Sequence, residues 1–205
     1  FDLPLSNFLG VETRAALKRE AERSEIWTKI CPITYGGEED VIANRKCLAK
    51  YYAPPLIARH RSRYNVEIRL EIISGIYTTI ITPTKGNVSE NQNRVLMNLH
   101  GGGMRYGGRW GGQVESIPIA ALGKIKVVSV DYRMAPEHTF PSASEDVATV
   151  YKALLKDYRP ENIGIYGCSA GGRLTAQSLA WFQKEGLPMP GAVGMFCLAA
   201  HSVAG

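Results

Sequence analysis

No apolar run in this sequence is long enough to cross a bilayer. The longest candidate, Ile72 to Ile81, is interrupted by Ser74, Gly75, Thr78 and Thr79, whereas a membrane helix needs about 20 predominantly apolar residues. The opening Phe1-Asp2-Leu3-Pro4 has no basic region followed by an apolar stretch and a small-residue cleavage site, and no initiator methionine. The expectation is a cytoplasmic protein, or a mature or trimmed form. Cysteine is sparse. Residues 31, 47, 168 and 197 show no C-x-x-C spacing and no nearby histidine partners, which excludes zinc and thioredoxin-like readings. Buried free thiols in a reducing compartment are the expectation that remains. Charge of one sign hardly accumulates either: the net charge is +5, and Arg59, His60, Arg61 and Arg63 form the only local basic cluster. A polar linker between subdomains is expected there, and no nucleic-acid partner. The Asn87-Val88-Ser89 sequon is short enough to occur by chance, and internal repeats and low-complexity tracts are absent.

What is present is enough for one well-buried core: 205 residues with 45% hydrophobic content, the ordinary range of a globular domain. Residues 11–29 are rich in strong helix formers, and a second helical candidate runs from about Glu38 to Tyr52, ended by Pro54-Pro55. Residues 1–63 therefore read as a helical attachment, and residues 64–205 as the body. From Asn65 the period changes. Val66, Ile68, Leu70 and Ile72 alternate with Glu67, Arg69 and Glu71, as in a strand with one wet face. With 76–81 they form an expected antiparallel pair of edge strands. Strands at 94–99, 124–130, 162–166 and 192–198 then alternate with a helix ending at Gly123 and helices at 144–156 and 170–184. That alternation predicts a largely parallel sheet with helices on both faces.

The chemistry sits in Gly167-Cys168-Ser169-Ala170-Gly171, a serine between glycines at a strand-to-helix turn, which is the pattern of a nucleophile elbow. A serine hydroxyl must stand clear of its own backbone to reach a carbonyl, and the small neighbours allow it. The Ala170 N–H begins the following helix, where it can face a developing oxyanion. His100-Gly101-Gly102-Gly103 follows another strand. Three successive glycines let backbone N–H groups approach something negative. The lack of G-K-[ST] and of G-x-G-x-x-G after a strand argues against a phosphate as that partner. His100 directly follows a core strand and is read as a structural histidine bonded to the loop. His60 and His138 are read as surface or loop residues, and His201 is the only histidine C-terminal to Ser169.

His100-Gly101-Gly102-Gly103, Asp131-Tyr132-Arg133-Met134-Ala135-Pro136-Glu137-His138 and Gly167-Cys168-Ser169-Ala170-Gly171-Gly172 together resemble the hormone-sensitive-lipase-like esterases, a branch of the α/β-hydrolases. The resemblance implies an α/β-hydrolase fold with an N-terminal helical cap over residues 1–63. It implies a serine carboxylic ester hydrolase acting on short to medium acyl esters, without cofactor or metal. Ser169 would be the nucleophile, the N–H groups of Gly102, Gly103 and Ala170 the oxyanion hole, and His100 and Gly101 the support of that loop. The expected partner is a small-molecule ester, with a homodimer as the assembly to consider. Two residues depart from the family pattern: Cys168 stands where an aspartate is usual, and Arg173 follows the glycine pair. Only 34 residues follow Gly171, too few for the triad aspartate and histidine, so a fragment is expected. The alternative in another class is a non-catalytic small-molecule receptor or binding protein on the same scaffold.

Overall fold

The computed structural model describes residue 6 and residues 8–34, 36–86 and 88–198. Two compact units are formed, Phe1–Tyr52 and Ala53–Gly205. The first contains α1 (Val11–Ile30), α2 (Glu38–Cys47) and a π-helical turn, Leu48–Tyr52. Here the thiol expectation is corrected: Cys31 and Cys47 are joined in a disulfide with their Cα atoms 5.8 Å apart. Their 16-residue separation was too wide to read as a pair. The free cysteines are Cys168 and Cys197. The disulfide also removes the thiol argument for a reducing compartment. Closing a loop of this length is worth about 3 kcal/mol in the chain-entropy account. Reduction is expected to lower amide hydrogen-exchange protection in α1 and α2, and unchanged protection would contradict this.

In the second unit, α3 (Ala53–Arg61) begins at the two prolines that were expected to end a helix. Pro54 and Pro55 directly follow the π-helical turn Leu48–Tyr52, so their missing N–H groups fall where the regular α-helical ladder is already interrupted. The basic cluster is likewise no linker, because Arg59, His60 and Arg61 form the last turn of α3. Cations at a helix C-terminus are favourably placed.

The sheet has β1 (Val66–Ile73), β2 (Ile76–Pro83), β3 (Val95–Leu99), β4 (Lys126–Val130), β5 (Ile163–Cys168) and β6 (Ala192–Phe196), in spatial order β1-β2-β4-β3-β5-β6. The pairs β3·β4, β3·β5 and β5·β6 are parallel, whereas β1·β2 and β2·β4 are antiparallel. Only β1 of the expected edge pair lies at an edge, since β2 is bonded on both sides. Among the described residues no helix is long and apolar enough to cross a membrane.

Strand alternation sends successive side chains to opposite faces. On one face Val95, Met97, Leu99, Val128, Val130, Ile163 and Ile165 pack with Val147, Val150, Tyr151, Leu154, Leu174 and Phe182. The last six come from α5 (Ser142–Leu154) and α6 (Ala170–Lys184). On the other face Ile81, Val127 and Tyr166 meet Ala120 of α4 (Gly111–Gly123). That second face also carries a polar rung. Asn98 is paired in register with Ser129 on one side and with Tyr166 on the other, and these polar residues face α4 rather than the larger apolar cluster.

The Asp131–His138 segment is pinned at its start, through Asp131 and Arg133. Asp131 Oδ1 accepts the Arg109 N–H at 3.1 Å, and the Arg109 guanidinium lies 4.4 Å over the Tyr77 ring. The Arg133 N–H donates to Asp146 Oδ2 at 2.8 Å, and its Nε donates to Asp146 Oδ1 at 2.9 Å. The Asp146 side chain is 3% exposed, so its loss strands the Arg133 backbone N–H and leaves the guanidinium with Glu145 Oε2 and Ser142 O as its remaining partners. Asp146→Ala is expected to cost about 2 kcal/mol, less than for a fully buried pair because Arg133 reaches solvent. In thermal melts that corresponds to a fall of about 4–8 °C. An unchanged melt would contradict it.

Candidate active site

β5 ends at Cys168 and α6 begins at Ala170, so the chain reverses from strand to helix through Ser169 alone. Its backbone sits at φ 54 and ψ −119, a sparsely populated conformation for a side-chain-bearing residue and a form of stored local strain. The strain is held by packing on both sides of the turn. The Ser169 N–H donates to Phe196 O at 2.8 Å. A Cβ on Gly167 would lie 2.5 Å from Leu99 O, and one on Gly171 would run into Leu99 O and stand 2.7 Å from His100 O. The glycines thus let the start of α6 rest directly on the backbone that ends β3. The consequence is an exposed Ser169 side chain.

The glycine loop lies against this turn. A Cβ on Gly101 would stand 2.9 Å from Cys168 O and 3.6 Å from Ser169 Cβ. Gly102 and Gly103 have φ +119 and +63, values glycine adopts without steric cost. Among the described residues their N–H groups donate to no protein acceptor. Gly103, Met104, Ser169, Ala170, Arg173, Cys197 and Leu198 line one cavity of ≈ 270 Å³. The structure therefore brings Ser169, Ala170 and Gly103 to one space, with Gly101 against the serine's Cβ.

His100 is 1% exposed. Its Nδ1 is 2.8 Å from Gly101 O, a carbonyl that can only accept, so Nδ1 carries the proton. Its ring stacks on Tyr132 with centroids 4.4 Å apart, and its carbonyl accepts the Tyr132 hydroxyl at 2.6 Å. Burial lowers its pKa and keeps it neutral. His60 is half-buried on α3 and His138 is exposed. His201 lies outside the described residues.

Cys168 is a thiol here: burial and the neighbouring Cys197 push its pKa up to about 11. A group protonated so far above neutrality is a poor competitor for the nucleophile's role. Arg173 is exposed and lines the serine's cavity. Among the described residues no group of three or more His, Cys, Asp and Glu side chains could hold a metal ion.

One participant escaped the sequence reading. Glu115 of α4 accepts the Gly101 N–H at Oε1, 2.8 Å, and the Asn98 Nδ2–H at Oε2, 2.9 Å. Asn98 Oδ1 in turn accepts the Ser129 hydroxyl at 2.8 Å. The available signals were a lone charge in a neutral helix, Gly111–Gly123, and an asparagine inside the apolar strand Val95–Leu99.

A parallel sheet whose strand passes into a helix through a strained serine, faced by a glycine loop, defines an elbow-bearing α/β protein. A family model described as alpha/beta hydrolase fold matches residues 96–202. The chain belongs to this family. It is similar to a versiconal hemiacetal acetate esterase of Emericella nidulans, 29% identical over 141 residues that cover 64% of this chain and 47% of the relative. Among solved structures it is similar to esterase E25, with TM-score 0.75 and 26% identity, covering 94% of this chain and 58% of that one. A second is an esterase from the bacterial hormone-sensitive lipase family, with TM-score 0.66 and 25% identity over 85% of this chain and 56% of that one. The chain spans about a third to a half of the length of the curated relatives it matches.

Proposed function

We propose that the protein is a carboxylesterase that hydrolyses short to medium acyl esters through a serine acyl-enzyme. The observation that carries this reading is the strained, exposed Ser169 (φ 54) sharing a cavity with Gly103 and Ala170. A receptor needs no strained serine, and strain of this kind is kept where the surrounding structure enforces it for chemistry. Ser169 Oγ attacks the ester carbonyl, and the negative oxygen that forms is received by the N–H groups of Gly102, Gly103 and Ala170. The alcohol departs, and water then releases the acid from Ser169. His100 and Gly101 serve as loop support, and a general base takes up the serine proton and returns it to the departing alcohol. Residues 1–63 are proposed as the cap segment.

An acyl series of p-nitrophenyl esters from acetate to dodecanoate tests the substrate class in the full-length protein. Turnover is expected to peak at short to medium chains. No release of nitrophenol from any member would refute the reading.

A further inference from the structure

α4 (Gly111–Gly123) is neutral except for Glu115, and that residue is half-buried, with its carboxylate turned to the sheet and the glycine loop. Its two oxygens are both used as acceptors: Oε1 by the Gly101 N–H at 2.8 Å and Oε2 by Asn98 Nδ2 at 2.9 Å. Asn98 is fixed from its other side by the Ser129 hydroxyl at 2.8 Å and by its place in the rung between β4 and β5. The carboxylate is thus anchored to the sheet at one oxygen and to the glycine loop at the other. Gly101 touches the elbow, with its Cβ direction 3.6 Å from Ser169 Cβ. Any displacement of Gly101 therefore moves Gly102 and Gly103 relative to the serine.

We propose that Glu115 is a positioning residue of the acyl-transfer site, whose carboxylate holds the first amide of the glycine loop and so sets the oxyanion donors against Ser169. The inference rests on the esterase reading above. Oxyanion donors act only when they meet the developing charge at about 2.7–3.1 Å, and a shift of about 1 Å can cost roughly a hundredfold in rate. A loop of three glycines has no side chains of its own to enforce that tolerance, and a carboxylate from a helix seated on the sheet adds a constraint on its first N–H to those that His100 Nδ1 places on Gly101 O and the Arg105 and Tyr106 N–H groups on Gly102 O.

Stability does not account for the residue. Burial raises the Glu115 pKa even though the Asn98 and Gly101 bonds act to lower it. Tyr132 after β4 and Tyr166 and Cys168 on β5 have their own ionisation pushed up chiefly by burial, in Cys168 next by Cys197, with the Glu115 charge adding to it in all three. A carboxyl with a raised folded-state pKa contributes fully to stability below its unfolded pKa. That contribution is lost as pH rises through the folded value, so at neutral pH the charge weakens the fold.

The test separates reach from charge. Glu115→Gln keeps the length: its amide oxygen accepts the Gly101 N–H, and its NH₂ donates to an Asn98 amide turned end for end. Glu115→Asp keeps the charge but falls one methylene short of Gly101. With p-nitrophenyl butyrate and the full-length protein, Glu115→Gln is expected to keep kcat within about threefold of wild type. Glu115→Asp is expected to lose about tenfold and Glu115→Ala about thirtyfold, with KM little changed in all three. Glu115→Gln should also melt no lower than wild type at pH 7. An Asp variant at wild-type kcat, or a Gln variant as impaired as Ala, would overturn the proposal. Labelling with a fluorophosphonate keeps the two readings apart. A wild-type protein that takes up no label removes the acyl-enzyme reading and this inference with it, whereas normal labelling with unaltered kcat in the Asp and Ala variants removes Glu115 alone.

Discussion

Ser169→Ala is expected to lower kcat at least about a thousandfold in the full-length protein, because a single oxygen carries the covalent step and nothing beside it can substitute. Cys168, adjacent in sequence, has its thiol held protonated by burial and by Cys197, and the elbow exposes the next residue instead. The fold should be unaffected, since Ser169 is exposed and its backbone N–H still reaches Phe196 O at 2.8 Å. The measurement is kcat on a short-chain aryl ester for both proteins, with the melting temperature as control. Comparable turnover would remove Ser169 from its assigned role.

Gly171→Ala is expected to have the largest effect on folding. A single methyl there would run into Leu99 O and come within 2.7 Å of His100 O, and these are backbone atoms of β3 and its exit, with no rotamer to turn aside. Overpacking against side chains commonly costs about 1–3 kcal/mol. A backbone collision at the junction of β3 and α6 should reach at least about 3 kcal/mol, lowering the urea midpoint by about 1 M or more. Gly103→Ala is the contrasting case. A Cβ there meets nothing within 4 Å, so its cost is confined to the left-handed backbone, about 1–2 kcal/mol. Equal midpoints for the two variants would show that packing at the turn is not what holds the strained serine.

The body of the fold was legible because its signals are periodic. Alternation in Val66–Ile73 and apolar spacing in Ser142–Leu154 mark their own elements, and α6 was placed at its observed limits, Ala170–Lys184. The motifs made the meeting of loop and elbow readable too, since strands that end in a glycine run and in a G-x-S-x-G turn must deliver both to the same end of a parallel sheet. What stayed hidden depends on facts that spacing does not carry. Pro54-Pro55 reads as a stop, whereas helical turns lie on both sides of the prolines. The Cys31–Cys47 bond joins positions on separate elements, brought together only by the turn between α1 and α2. Glu115 belongs to none of the three motifs. Its partners, Gly101 and Asn98, are 14 and 17 residues away, and only the packing of α4 on the polar rung of the sheet reveals the contact.

The central claim is that Ser169 Oγ becomes acylated in front of the glycine loop. The most direct measurement is peptide mass spectrometry of the full-length protein after reaction with an alkyl fluorophosphonate and, separately, after acid quenching during turnover of an aryl ester. The account predicts one phosphonyl or acyl group per chain, located on Ser169 and absent from Ser169→Ala. A modified residue elsewhere, Cys168 included, or turnover with Ser169 unmodified by either reagent, would contradict it.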